Sequence, residues 1–440
     1  MPRQRTVRSD DDHRLDKPPA ARHTSAMTAA TRSDLVADIL VVGGGMGGLA
    51  TAIALARGGF SVLLADEQAP ATTTDPGFDG RVSAIAHASC QLLRAIGAYE
   101  ALAPYGQPIL DIRVTDGRPG EKPSPLFLHF DHQAIGDEPF GMILENRHIR
   151  LGLMAVIAGI PSIRVLAPVR VVGTERGTAG AIAHLADGRK IRARLIVACD
   201  GRASPLREEA GIRKVAWDYS QDGIVTTVEH ELPHQGVACE HFLPSGPFAI
   251  LPMTGNRCSL VWTERRELTP ALMAMARDAF DVEMRRRLGD GLGAARSVGP
   301  RFAYPLAFHM ATRFVDRRLA LVGDAAHGLH PIAGQGLNLG LRDTAALAEV
   351  LADGARLGLD PGDDTLLDRY ERWRRVDSVV MGSVMDGLNR LFSNDAMPLR
   401  LARDLGLAAV ERLPGLKKFF MHHARGTVGK LPRLLEGKPL

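Results

Sequence analysis

The sequence predicts an α/β protein in which a parallel-sheet domain is interleaved with a mainly antiparallel-sheet domain and followed by C-terminal helices. Three observations carry this reading. A strand-like run, a glycine-rich turn and a helical pattern open the apolar part of the chain at 37–57. Two further near-continuous apolar runs, at 193–201 and 318–327, read as strands buried on both faces. Between them, at 108–145 and 218–264, apolar and polar residues alternate with short turn signals.

Composition bounds the class. The chain has 440 residues, 45% hydrophobic and 24% charged, enough for two or three domains around large cores. A net charge of +4 and 5% aromatic residues argue against a nucleic-acid reader, which needs a basic surface and stacking rings. The four cysteines, Cys90, Cys199, Cys239 and Cys258, form no CxxC pair, which favours a reducing, cytoplasmic setting over a disulfide framework. Residues 1–36 are polar, mixed in charge and without periodicity, and are expected to be a disordered tail. Asp10, Asp11 and Asp12 argue against a transit peptide, no apolar core suggests a secretory signal, and Met27 stands as an alternative start.

Ile39 to Ala56 carries no charge and could imitate a membrane span. Gly43, Gly44, Gly45, Gly47 and Gly48 would each cost a helix about 1 kcal/mol, so strand, turn and helix is the better reading. ADILVV (37–42) is then the first strand, the helix runs from Leu49 to Gly58-Gly59, and Phe60 to Ala65 is the second strand, ending at Asp66-Glu67. A helical segment follows at 87–102, and a long amphipathic helix is expected from Gly336 to about Gly358. The expected partition is a tail (1–36), first-domain pieces at 37–107, 146–215 and 301–375, second-domain pieces at 108–145 and 216–300, and C-terminal helices at 376–440.

Gly43-x-Gly45-x-x-Gly48 fits a dinucleotide fingerprint in the right setting, after a strand and at the opening of a helix. The first glycine permits the turn, the second lets backbone approach a pyrophosphate, and the third lets helix and strand pack closely. Asp66, 18 residues beyond Gly48, ends the next strand where a carboxylate accepts from a ribose hydroxyl; Glu67 overshoots it. Gly323-Asp324 ends another buried strand, a place where open α/β sheets bind ligands, and Asp324 could accept from a polyol. The turn Pro331 to Gly336 precedes a helix whose N-terminal NH groups could face a polar ring edge. The first loop alone does not choose between FAD and NAD.

The segments ACDGRASPLR (198–207) and LVGDAAHGLHPIAGQGLNLGLRD (321–343) resemble the Asp-Gly and second FAD-binding segments of flavin-dependent aromatic hydroxylases. PGFDGRVSAIAHASCQLLRAIG (76–97), FLPSGPFAILPM (242–253) and RCSLVW (257–262) resemble one branch, the ubiquinone-biosynthesis hydroxylases of the 2-polyprenyl-6-methoxyphenol hydroxylase type. The resemblance implies a Rossmann-like FAD-binding domain interleaved with a substrate domain, and FAD with NADH or NADPH as electron donor. Gly43, Gly45, Gly48 and Asp66 would hold the adenosine diphosphate half. Arg81 and Arg150 would touch FAD, and Asp200 and Gly201 would shape the region where FAD and NAD(P)H approach, with Ser204 and Arg207 completing that segment. Gly323 and Asp324 would meet the ribityl chain, and Pro331, Gly334, Gln335 and Gly336 the isoalloxazine. Asp66 stands where the family more often has Glu.

The implied reaction is hydroxylation of a lipophilic polyprenyl phenol by O2 through a flavin hydroperoxide, so that the cofactor carries the chemistry and no protein nucleophile is named. Three other readings stay open on sequence: a flavoenzyme of small soluble aromatics, a non-catalytic FAD-bound member of a biosynthetic complex, and a plain NAD-binding protein. His230, His234, Cys239 and His241 cluster in the sequence, but their spacing matches no common metal site and no metal is expected. His327 and His330 flank the flavin segment, as structural hydrogen-bonding groups or as a proton relay. From Pro398 to Leu440 nine Lys/Arg stand against three Asp/Glu. Leu401, Leu405, Ala409 and Leu413 share a helical face there, ahead of Lys417-Lys418-Phe419-Phe420-Met421, which suggests peripheral attachment to the inner membrane face; the resemblance implies other ubiquinone-biosynthesis proteins as partners.

Overall fold

The computed structural model describes residues 35–75, 81–121, 124, 127–330, 334–392, 406 and 409–440. The parallel strands are β1 (Leu35–Val42), β2 (Val62–Ala65), β3 (Ile163–Leu166), β4 (Lys190–Ala198) and β5 (Leu319–Leu321), in the order β5-β4-β1-β2-β3. Their register puts the last residues level: Val42 lies beside Ala65 and Ala198, and Ala198 beside Leu321. The turns that follow β1, β2, β4 and β5 therefore leave from one edge of the sheet, where this class of fold binds its ligands. Ile39, Leu40 and Val41 are fully buried because helices cover the sheet. These are α1 (Met46–Arg57), α2 (Gln335–Arg356) and, behind α2, α3 (Asp364–Phe392).

The second sheet has eight strands, dominated by antiparallel pairs among Lys214–His230, Val237–Leu243, Gly246–Met253, Arg257–Arg265 and Ala295–Ala311. Period-two alternation gives it two faces. Ile224, Val228, Phe248, Ile250, Leu260 and Trp262 point outward into a core closed by Leu272, Phe280 and Met284 of two helices. Ala238, Phe242 and Met253 point inward, into a core shared with Val82, Ala84, Phe140 and Ile143 around a small three-stranded sheet. Met421 of the C-terminal helix Pro414–Arg425 closes that core.

Several boundaries differ from expectation. Leu35 and Val36 belong to β1, so the tail expected at 1–36 stops short of them; residues 1–34 lie outside the described residues. Helix α1 starts at Met46, taking Gly47 and Gly48 inside, because close packing on Gly43 and Cys199 outweighs the glycine propensity cost. The expected strand 318–327 is two strands: β5 stops at Leu321, Gly323 turns at φ +63°, and His327–Gly328 pairs with the second sheet. Helix α3 runs across the expected boundary between 375 and 376. Leu401 and Leu405 lie outside the described residues, and Pro414 opens a new helix after Leu413.

Candidate cofactor and active site

The glycine turn after β1 is built by contact. Gly43 sits at φ +104°, and a Cβ there would lie 2.2 Å from the Cys199 carbonyl oxygen. A Cβ on Gly48 would lie 1.8 Å from the Gly43 carbonyl oxygen. These two positions exclude any side chain because protein backbone already fills the space. Gly45 is the opposite case: a Cβ there meets nothing within 4 Å, which leaves the start of α1 open to a ligand. Asp66 stands at the end of β2, where its Oδ2 accepts from the Gly44 NH and its Oδ1 accepts from the Gln68 NH at 2.6 Å.

The turn after β4 carries an unsatisfied group. Asp200 Oδ2 accepts from the Leu206 NH at 3.1 Å, but Oδ1 is buried without a hydrogen-bond partner. Burial pushes this carboxyl above its ordinary value despite the bonds from Ser204 and Leu206. A Cβ on the next residue, Gly201, would meet nothing within 4 Å. An orphaned acceptor beside open space is the mark of a missing polar ligand. Ser204 caps the helix Pro205–Glu209 by accepting from the Arg207 NH at 3.1 Å. Arg207, fully buried, donates to the Ala325 carbonyl at 2.9 Å and so ties this turn to the one after β5.

Gly323, Asp324 and Ala325 form a single 3-10 turn, with the Asp324 side chain exposed and its carbonyl bonded to His309 Nε2 at 2.9 Å. Pro331 lies outside the described residues. Gly334, at φ +62°, caps α2, and Gln335 and Gly336 form its first turn. A Cβ on Gly336 would meet nothing, whereas one on Gly334 would lie 3.1 Å from the Ala84 Cβ. Asn338 fastens the helix start to the small sheet: its Nδ2 donates to the Ala84 carbonyl and its Oδ1 accepts from the Ala86 NH, both at 2.8 Å. The Arg81 guanidinium covers the Tyr304 ring at 4.6 Å, linking that strand to the inner face of the second sheet. Arg150, in the second turn of the helix Asn146–Ala158, is buried and donates to the Thr73 carbonyl at 3.2 Å.

The joint between the sheets depends on residues whose role sequence reasoning missed. Asp343 of α2 is fully buried; its Oδ2 accepts from the Gly323 NH at 3.0 Å and from His327 Nε2 at 2.6 Å. Its Oδ1 accepts from Arg374 Nε at 2.7 Å, and Arg374 also pairs with Asp377 at 2.6 Å. Burial alone would raise the Asp343 carboxyl, but His327 and Arg374 together hold it below its ordinary value. The signal lay in the segment 321–343, since the acid at 343 stands on the α2 face packed against the turn after β5, but its cationic partner comes from the next helix. His330 is buried with neither ring nitrogen bonded, and burial lowers it to about 4.

The histidine and cysteine cluster resolves into ordinary protein contacts. His230 Nε2 lies 3.3 Å from Cys258 Sγ, His234 Nε2 2.8 Å from the Met253 carbonyl, and His241 Nδ1 2.5 Å from Thr115 Oγ1. No group of three or more metal-ligating side chains occurs among the described residues.

The open directions at Gly45, Gly201 and Gly336, with the orphaned Asp200 oxygen, line the edge where an extended dinucleotide crosses this fold, so these residues fit FAD. Comparison with known proteins agrees. A family model described as FAD binding domain matches residues 36–382. The chain is 52% identical over 427 residues to Ubiquinone hydroxylase UbiL of Rhodospirillum rubrum, covering 96% of this chain and 97% of that protein. It is 34% identical over 391 residues to 3-demethoxyubiquinol 3-hydroxylase of Escherichia coli, covering 88% and 98%. In fold it resembles p-nitrophenol 4-monooxygenase PnpA from Pseudomonas putida DLL-E4, with a TM-score of 0.77 at 18% identity over 91% of this chain and 100% of that one. The chain belongs to the FAD-dependent, NAD(P)H-using monooxygenases of the ubiquinone hydroxylase family.

Proposed function

We propose that this protein hydroxylates the aromatic ring of a polyprenylated phenol in ubiquinone biosynthesis. The observation that carries the reading is the near-full-length likeness to a ubiquinone hydroxylase, joined to the open glycine positions along one edge of the parallel sheet. FAD, reduced by NAD(P)H, supplies the oxygen-transfer chemistry when bound. Gly45 leaves the NH groups at the start of α1 open to the pyrophosphate, while Gly43, whose NH donates to the Ala65 carbonyl at 2.8 Å, and Gly48 shape the turn that presents them, and Asp66 would turn from its turn contacts to accept from the ribose. Arg81 and Arg150 offset phosphate charge. Asp200 and Gly201 border the flavin, with the free Asp200 oxygen accepting from it. Gly323 and Asp324 meet the ribityl chain, while Pro331, Gly334, Gln335 and Gly336 present the N-terminus of α2 to the flavin ring. The inner sheet face excludes water and orients the phenol.

The partner surface is a lipid one in this reading. Among the described residues no helix is long and apolar enough to cross a membrane. Helix α3 instead exposes Val376 (67%), Val379 and Val380, and the C-terminal helix exposes Leu416 and Phe419 (50%) beside Lys417 and Lys418. Exposed apolar side chains next to lysines suit the surface of an anionic membrane, where a polyprenyl substrate resides. The test is product analysis with NAD(P)H, O2 and a polyprenyl phenol held in anionic vesicles, against a short-chain soluble analogue. The holoenzyme hydroxylates both, and a Val380→Asp, Phe419→Asp variant loses the vesicle substrate while keeping the soluble one. Turnover confined to small soluble phenols would overturn the reading.

A further inference from the structure

Glu240 lies in the strand Val237–Leu243 between Ala238 and Phe242, the two residues that strand sends into the inner core. Alternation puts Glu240 on that same inner face, and turns Cys239 and His241 to the outer side, where His241 bonds Thr115. Its cross-strand neighbours, Val114 and Ala249, are apolar. The inner core also contains Val82 and Ala84, and Ala84 abuts Gly334 at the start of α2. The carboxyl therefore belongs to the wall that faces the flavin end of the site.

Glu240 has no hydrogen-bond or ion-pair partner among the described residues. The residue as a whole is half-buried, not packed out. Burial, the single cause acting on it, pushes the carboxyl to about 8. The charged groups on the surrounding elements are engaged elsewhere: Asp116, opposite Phe242, accepts from the Gly117 NH, and Arg257, opposite Met253, pairs with Glu145 at 3.9 Å. On the C-terminal segment that closes the core, Glu411 pairs with Lys417 at 2.5 Å. A lone, desolvated carboxyl on the substrate wall has no structural bond to make, and such a group suits proton transfer.

We propose that Glu240 takes the proton from the phenolic hydroxyl of the ring to be hydroxylated, an assignment that rests on the function proposed above. The phenolic O–H bond breaks, its proton forms an O–H bond with a Glu240 carboxylate oxygen, and the electron pair stays on the phenolate, enriching the ring carbon that accepts oxygen. When that carbon gives up its hydrogen as a proton to water and the ring regains aromaticity, Glu240 returns its own proton to the phenolate oxygen. Over the cycle one oxygen atom of O2 enters the ring. The other leaves as water, taking up the equivalent of the NAD(P)H hydride and one proton from solvent. A phenol of pKa about 10 lies roughly two units above such a base, a gap that the reaction can cross.

The test uses FAD-loaded enzyme, a short-chain prenyl phenol, and pH profiles between about 6 and 10. The wild type gains about tenfold in kcat per pH unit up to about 8 and then levels, as its carboxylate forms. Glu240→Gln loses about 100-fold or more in kcat and loses that limb, with KM within a few-fold and the flavin spectrum unchanged. Glu240→Asp regains the limb at a lower rate. Independently of turnover, the resting holoenzyme shows an infrared carboxyl band that titrates near 8 and is missing from Glu240→Gln. A Gln variant that keeps the wild-type kcat or the same limb, or a wild type without that band, would overturn the assignment. A wild type that makes no hydroxylated phenol would overturn the function beneath it.

Discussion

In the proposed function the glycine turn after β1 and the inner face of the antiparallel sheet serve one ligand edge, but they are specified by opposite means. At the turn the essential feature is a missing side chain: Gly43 and Gly48 are filled by neighbouring backbone, and Gly45 is left open. On the sheet face the essential feature is a side chain with no partner, Glu240 among apolar neighbours. The first kind of site tolerates almost no substitution and reads out as cofactor affinity. The second tolerates change and reads out as chemistry. Asp343 joins them, holding Gly323 after β5 and His327, which pairs with the second sheet.

The sharpest break compares two glycines three residues apart. Gly48→Ala places a methyl 1.8 Å from a backbone oxygen, so it costs about 3 kcal/mol or more and yields protein without flavin. Gly45→Ala meets no protein atom, so the apoprotein changes by about 1 kcal/mol or less. Its FAD affinity nevertheless falls about 100-fold, because the new methyl occupies the approach to the pyrophosphate. Urea unfolding of the apoproteins with flavin titration separates the two; equal effects on stability would contradict the contrast.

At the joint, Asp343→Asn takes one of two carboxylates from the buried Arg374, which keeps Asp377, and costs about 3 kcal/mol near neutral pH. Because the folded-state carboxyl is held below 3.8, its contribution is present above that value and fades as pH falls through the folded pKa. The gap between wild type and variant, followed by urea unfolding, therefore narrows in acid. A gap independent of pH would mean that Asp343 acts through shape alone.

The smallest effect concerns Glu240, whose folded-state carboxyl lies above its ordinary 4.5, at about 8. The folded state then holds a proton the unfolded state has released, and wild-type stability falls as pH rises through that window. Glu240→Gln escapes this loss. The two proteins match near pH 5 and separate by on the order of 1–2 kcal/mol in favour of the variant above pH 8, allowing for the residue's partial exposure. Thermal unfolding across pH checks the sign.

The strand, turn and helix at 37–57 were legible because buried strands and forced glycines are local requirements written in consecutive residues. The break at Gly323 was not, since an apolar run through 318–327 does not reveal that its two halves pair with different sheets. Asp343 and Arg374 lie 31 residues apart and meet only through packing of two helices. Glu240 stood inside a sequence cluster of His and Cys that invited a metal reading; only strand alternation parts it from Cys239 and His241.

The central claim is a reducible flavin held along the edge formed by the turns after β1, β2, β4 and β5. Its most direct test is the visible absorption spectrum of the purified protein before and after anaerobic addition of NADH or NADPH. Flavin bands that bleach with either nucleotide are the expected result. A protein that stays colourless after reconstitution with FAD, or binds flavin that neither nucleotide reduces, would contradict the account.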